Sequence, residues 1–235
     1  MTKTTQLPLA VHLPDDETFD SFYCSDGGVI KAQLKAFIQQ AESSPSTNGF
    51  YLFGQEGVGK SHLLHASCAL ASELKMKSLC LSLSELKHLS VDVLNDLEQI
   101  DLVCLDDLHL IAGDTVWQQG IFDLYNRLLE NNKKVIIAGN NSANSLLITL
   151  PDLVSRIGWG FTEQIKPLPD SDKVKAIQLR SKFRGIEMNE ETGKFLLNRL
   201  SRDMNSLVES LDILDKASIR AQRKITIPFI KETLF

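Results

Sequence analysis

The sequence has no C-x-x-C pair, no long apolar run and no surplus of positive charge. Each gap removes a class of function. The four cysteines, Cys24, Cys68, Cys80 and Cys104, are scattered and three lie in apolar contexts, which argues for buried reduced thiols rather than zinc ligands or disulfides. No apolar stretch approaches the roughly 18 residues a membrane-spanning helix needs, so no membrane partner is expected. The N-terminus, MTKTTQLPLAVHLPDDETF, lacks an apolar core followed by a small-residue cleavage site, and the expected location is the cytoplasm. Lys and Arg number 25 against 30 Asp and Glu, for a net charge of −5. Affinity for nucleic acid comes mostly from neutralising phosphates, so DNA is expected only as a weak or indirect contact. Internal repeats and low-complexity tracts are absent as well. What remains is a chain of 235 residues, 43% hydrophobic and 23% charged, enough for one substantial core with a small partner domain.

Three regions follow from patterning. Residues 1–17 have no helical period and contain Pro8 and Pro14, and read as an extended tail. Residues 18–166 alternate short apolar runs with helical patterns. The runs are FYLF, SLCLSL, LVCLD, KVIIAG and FTEQI. Near-continuous apolar strands between helices predict an α/β domain with a five-stranded parallel sheet covered on both faces. A helix is expected to close this domain, from Pro151 to Ile157 with Gly158 as its stop. Beyond the Pro-rich break KPLPD, residues 167–235 read as a small all-α lid. There Ser171 is expected to cap a helix that places Val174, Ile177 and Leu179 inside. Asn189 and Thr226 cap two more, the last with Pro228 in its first turn.

The stretch GQEGVGKS, residues 54–61, carries the clearest chemistry. It fits G-x-x-x-x-G-K-[ST], follows a predicted strand and opens a predicted helix. Gly54, Gly57 and Gly59 let the backbone turn tightly against phosphates, and successive N–H groups form an anion nest at a helix N-terminus. Lys60 reaches the outer phosphates and the Ser61 hydroxyl can ligate Mg²⁺. The cofactor-binding set also takes in Val58 and His62 beside the loop's fixed positions. LVCLDDL places Asp106 at a strand's C-terminal end, where it can hold the Mg²⁺ with Ser61, and Asp107 where it can orient a water. His62 and His65, three apart on the next helix, have no metal-ligand company and are expected to pack. Lys216, Arg220, Arg223 and Lys224 form a basic helix face that could touch DNA but fits a solvated surface better.

NGFYLFGQEGVGKSHLLHA, LVCLDDLHLIAGD, VSRIGWGFTEQIKPLP and LPDDETFDSF together resemble the AAA+ module of the bacterial DnaA initiator family, over residues 14–235. The sequence ends at Phe235, just after the lid, and opens with QLPLAVHL. It is thus similar to the regulatory branch of that family, which inactivates the initiator together with the sliding clamp. The resemblance implies that Asn140 is the first sensor and Arg156 an arginine finger acting in trans on the initiator's ATP. Trp159 would anchor that corner by packing. Asn205 falls at the second sensor position, where the family normally has an Arg, and nearby Arg202 could substitute only in part. This departure favours ADP, or another nucleoside diphosphate, kept as a spacer, so the chain is not expected to act as an enzyme on its own. The tail would bind the clamp through Gln6 as polar anchor, with Leu7, Leu9 and Val11 in an apolar pocket. A homodimer and the base preference stay open. The competing readings are a truncated DNA-binding initiator ATPase and a P-loop small-molecule kinase.

Overall fold

A computed structural model describes residues 16–25, 27–40, 48–200 and 202–235. Five strands, β1 (Gly49–Phe53), β2 (Ser78–Ser82), β3 (Leu102–Asp106), β4 (Lys134–Gly139) and β5 (Phe161–Gln164), form one sheet in the order β2-β3-β4-β1-β5. Every pairing is parallel, as the alternation of apolar runs and helices predicts. β3 and β4 are buried along their whole length, the pattern of inner strands covered on both faces. β5 lies at the edge and is mostly exposed, which explains its mixed composition.

One face of the sheet is covered by α1 (Val29–Gln39) and α2 (Lys60–Glu73), together with Phe19 and Phe22 of the entry segment. The other is covered by α3 (Leu83–Leu86), α4 (Thr115–Glu130) and α5 (Pro151–Trp159). α4 starts where Asp114 accepts hydrogen bonds from the amides of Val116 and Trp117, satisfying two otherwise unpaired donors. Cys68, Cys80 and Cys104 are free thiols and buried, as expected. The lid has a third core, built by α6 (Asp170–Phe183), α7 (Glu190–Arg199), α8 (Met204–Ala221) and α9 (Ile227–Leu234). Asn189 and Thr226 cap α7 and α9 through their side chains, and a proline sits in the first turn of α9.

Three local expectations are corrected. α5 does not stop at Gly158 but runs to Trp159. The stop is Gly160, where a Cβ would lie 2.1 Å from the Gly49 carbonyl oxygen, so the chain must leave the helix to pass that strand. Ser171 lies inside α6, and Pro169 holds the cap position instead. Leu179 is only half-buried, because Val174, Ile177 and Ser181 define the inward stripe and a residue five on from Val174 is rotated off it.

None of the described helices is long and apolar enough to cross a membrane.

Candidate nucleotide-binding site

The loop GQEGVGKS joins the C-terminal end of β1 to the start of α2. Gly57 (φ +77°) and Gly59 (φ +95°) hold left-handed conformations that other residues adopt at a cost. At Gly59 a Cβ would also lie 2.6 Å from the Phe22 ring, so the entry segment closes down on the loop itself. Lys60 is buried, and its Nζ donates to the carbonyls of Gly54 at 2.9 Å and Gln55 at 2.8 Å. Burial pushes its pKa down, against the pull of Asp106, Asp107 and Glu56. Ser61 is exposed at the first turn of α2.

This loop forms one wall of a cavity of about 900 Å³ between the α/β domain and the lid. The entry segment contributes Phe22 and Tyr23, β5 leads into Ile165–Leu168, and the lid contributes Arg180, Asp203 and Asn205. Asn205, predicted at the second sensor position, therefore does meet the phosphate loop. Arg202, also on the cavity wall, precedes α8, is exposed, and pairs with Asp170 at 2.9 Å.

Asp106 ends β3 and is buried, and its Oδ1 accepts from the Asp107 amide at 2.8 Å. Asp107 turns the chain in the left-handed region (φ +60°) and lines the cavity. Burial, then the charge of Asp106, raises its pKa. Asn140 stands half-buried just past β4, accepting from Asn141 Nδ2 at 3.3 Å. Tyr51 fixes that exit by donating to the Asn141 carbonyl at 2.6 Å. His62 lines the cavity, but its ring is engaged elsewhere. Nε2 lies 2.9 Å from the Thr18 carbonyl and 3.1 Å from Ser21 Oγ, and Nδ1 lies 3.3 Å from Arg180 Nη1. Burial lowers its pKa, and a neutral ring protonated on Nε2 satisfies the Thr18 and Arg180 partners. Val58 packs against the core beneath the loop.

The fold brings together the loop, Asp107 and Asn205, and it leaves Arg156 apart. Arg156 does not line the cavity. It sits in the last turn of α5, with its guanidinium 5.1 Å from the ring centre of Trp159. Trp159 is 61% exposed, so it does not anchor that corner by packing. Instead its exposed ring lies beside the half-buried arginine. Arg156 forms no ion pair with any described residue. Gln6, Leu7, Leu9 and Val11 lie outside the described residues.

Three residues with structural parts at this site escaped sequence reasoning. Glu17 accepts from Arg180 of the lid and lies 2.5 Å from His65 Nδ1. Gln118, fully buried in α4, donates to the Ile111 carbonyl and accepts from the amides of Thr149 and Leu150, just ahead of α5. Asp203 reaches from the lid to Gly57. Only Asp203 had a local signal, as an Asp immediately before a helical pattern.

Residues 13–164 match the family model described as the bacterial DnaA ATPase domain, about two thirds of the chain. The chain belongs to the DnaA family of AAA+ proteins. Residues 170–234 match a second model, described as the Hda lid domain. Among solved structures, domain III of the Thermotoga maritima replication initiation protein DnaA superposes with a TM-score of 0.76 at 19% identity, covering 95% of this chain and 97% of that one. AMPPCP-bound DnaA from Aquifex aeolicus gives 0.69 at 22%, over 88% and 67%. The Thermotoga maritima RuvB Holliday junction branch migration motor gives 0.65 at 15%, over 94% and 72%. These likenesses establish the fold. Membership of the DnaA family implies nucleotide binding, and the residues that match the Hda lid model supply part of the cavity wall.

Proposed function

We propose that this chain is a nucleotide-bound regulator of replication initiation that stimulates ATP hydrolysis on the DnaA initiator while held on the DNA-loaded sliding clamp. The observation that carries the reading is Arg156. It stands outside the chain's own cavity, on an exposed tryptophan, free of ion pairs among the described residues. A planar, permanently charged fork in that position suits charge spread over a transferring phosphoryl group, and such fingers act across interfaces. The Hda-type lid supports the same reading.

The chain's own nucleotide, a diphosphate such as ADP, holds the α/β domain and the lid in one arrangement. The loop amides and Lys60 would bind its phosphates. Ser61 and Asp106 would hold a magnesium ion, which neutralises phosphate charge when bound. One hydroxyl and one carboxylate completed by phosphate oxygens suit that ion. Asn140 would contact the phosphate end or a water. With the neutral Asn205 where a cationic sensor would stand, turnover by this chain alone is slow. The tail, through Gln6, Leu7, Leu9 and Val11, would tether the chain to the clamp.

The test is Arg156→Ala. It should leave folding and nucleotide binding unchanged and lower stimulation of the initiator's ATPase by about 10³-fold, the scale of an arginine finger. Stimulation equal to wild type would overturn the proposal. On the basic helix face Arg223 pairs with Glu232 and Lys224 with Glu187, which halves the charge it could offer DNA.

A further inference from the structure

The lid meets the phosphate loop through a carboxylate. Asp203 caps α8 with one oxygen only. Its Oδ2 accepts from the Ser206 amide at 3.0 Å and from the Ser206 hydroxyl at 3.3 Å. Its Oδ1 faces the other way, 2.8 Å from the point a Cβ on Gly57 would occupy. Asn205 Oδ1 lies 3.5 Å from the same point. Gly57 is the crown of the loop, and Gly57, Asp203 and Asn205 line one cavity. An anionic oxygen and a neutral amide thus approach the cradle from the lid.

Most of the cations around the cavity are engaged elsewhere. Arg180 is committed to Glu17, and Lys173 and Arg202 to Asp170, which leaves the exposed Lys166, between β5 and α6, without an ion pair among the described residues. Lys60 serves the loop itself, and Glu56 and Asp107 stand near enough to act on its charge. A diphosphate places its charge in the amide nest and against Lys60. A third phosphate adds charge at the outer end of the cradle, where a cationic lid residue would welcome it and a carboxylate opposes it. Asp203 is solvent-exposed, so the repulsion is partly screened, and its strength comes from the closeness of Oδ1 to the loop.

We infer that Asp203 determines how many phosphates the site accepts, its lid carboxylate disfavouring a nucleoside triphosphate relative to the diphosphate. This rests on the nucleotide-site reading and adds a residue that sets its preference. Asp203 is a selectivity residue, distinct from the Arg156 function directed at a partner.

The experiment compares ADP and ATP binding by calorimetry, in magnesium, for the wild-type chain and Asp203→Asn. Asparagine caps helices as well as aspartate does and keeps the same shape, so the variant removes charge while leaving the cap. The wild type should bind ADP about tenfold or more tightly than ATP. In D203N that ratio should fall several-fold, through tighter ATP binding, with ADP affinity little changed. A companion variant, Asn205→Arg, should shift the ratio the same way by supplying the missing positive charge. A wild type that binds both nucleotides equally, or a ratio unchanged in D203N, overturns the inference while leaving the nucleotide site intact. A wild type that binds neither nucleotide overturns both.

Discussion

Gln118 illustrates how one buried amide can govern a distant side chain. Its Nε2 donates to the Ile111 carbonyl at 2.9 Å, and its Oε1 accepts from the Thr149 amide and hydroxyl and from the Leu150 amide, at 2.9–3.0 Å. Three of the four tie α4 to the loop that launches α5, the helix bearing Arg156, and the fourth holds α4 to the turn that precedes it. Gln118→Leu keeps the volume but strands those backbone groups, each at a cost of about 1–3 kcal/mol where water cannot reach. The expected loss is about 2–3 kcal/mol in urea unfolding, with weakened initiator stimulation at unchanged ADP affinity. Undiminished stimulation would show that the α5 position does not depend on this amide. Arg156 itself is a case where residue type, not charge alone, matters. Arg156→Lys retains the cation but loses the planar fork and the stacking on Trp159, and should behave nearly as the alanine variant does.

At the scale of elements, the entry segment works as a strap between α2 and the lid. Asp16 accepts from Arg184 at 2.7 Å and pairs with Arg180 at 3.4 Å, while Glu17 joins Arg180 on α6 to His65 on α2. Arg184 in turn reaches Asp212 on α8. Burial alone would raise the Glu17 pKa. Hydrogen bonds from His65 and Arg180, with the charge of Arg180, outweigh it and hold the value at about 2, against the ordinary 4.5. For His65 burial opposes protonation, but Glu17 prevails and its pKa is raised above 6.5. A depressed carboxylate contributes stability that is present above 4.5 and lost as pH falls toward 2. A raised histidine contributes stability that is complete below 6.5 and lost as pH rises through its folded value. The strap should therefore be strongest between pH 4.5 and 6.5. Glu17→Gln leaves Arg180 with only its longer ionic contact, to Asp16, and should cost about 2–3 kcal/mol. The loss on unfolding should be larger at about pH 5.5 than at a pH above the raised His65 value, where the ring has lost its proton. Equal losses at the two pH values would remove His65 from the strap.

For the whole molecule, the strap places the last residues of the tail region against the lid, on the border of the nucleotide cavity. In the proposed function two activities would then sit on separate surfaces, the nucleotide between the domains and Arg156 outside the cavity. The tail that would reach the clamp is a third, chemically independent part. Gln6→Ala combined with Leu7→Ala should abolish co-migration with the clamp while the unfolding midpoint and ADP affinity stay as in the wild type. Clamp co-migration that survives the double substitution would assign clamp binding to another surface.

Much of this was legible in the linear sequence, because the relevant signals are local. The period of apolar residues places five strands in nearly their observed bounds, since a strand buried on both faces needs a continuous apolar run. Glycine spacing around Lys60 announces the phosphate loop, since only such residues turn a backbone that tightly. Asn189 and Thr226 announce helix starts through their own side chains. The tertiary structure alone decided what depends on distant partners. Gly160 ends α5 because Gly49 passes against it. Trp159 is exposed because of how its helix meets the sheet edge. Glu17 meets Arg180 across 163 residues, a contact no periodicity can announce. The preference of the phosphate site turns on Asp203 for the same reason: its sequence neighbours make it a helix cap, and only the folded lid carries its second oxygen to Gly57.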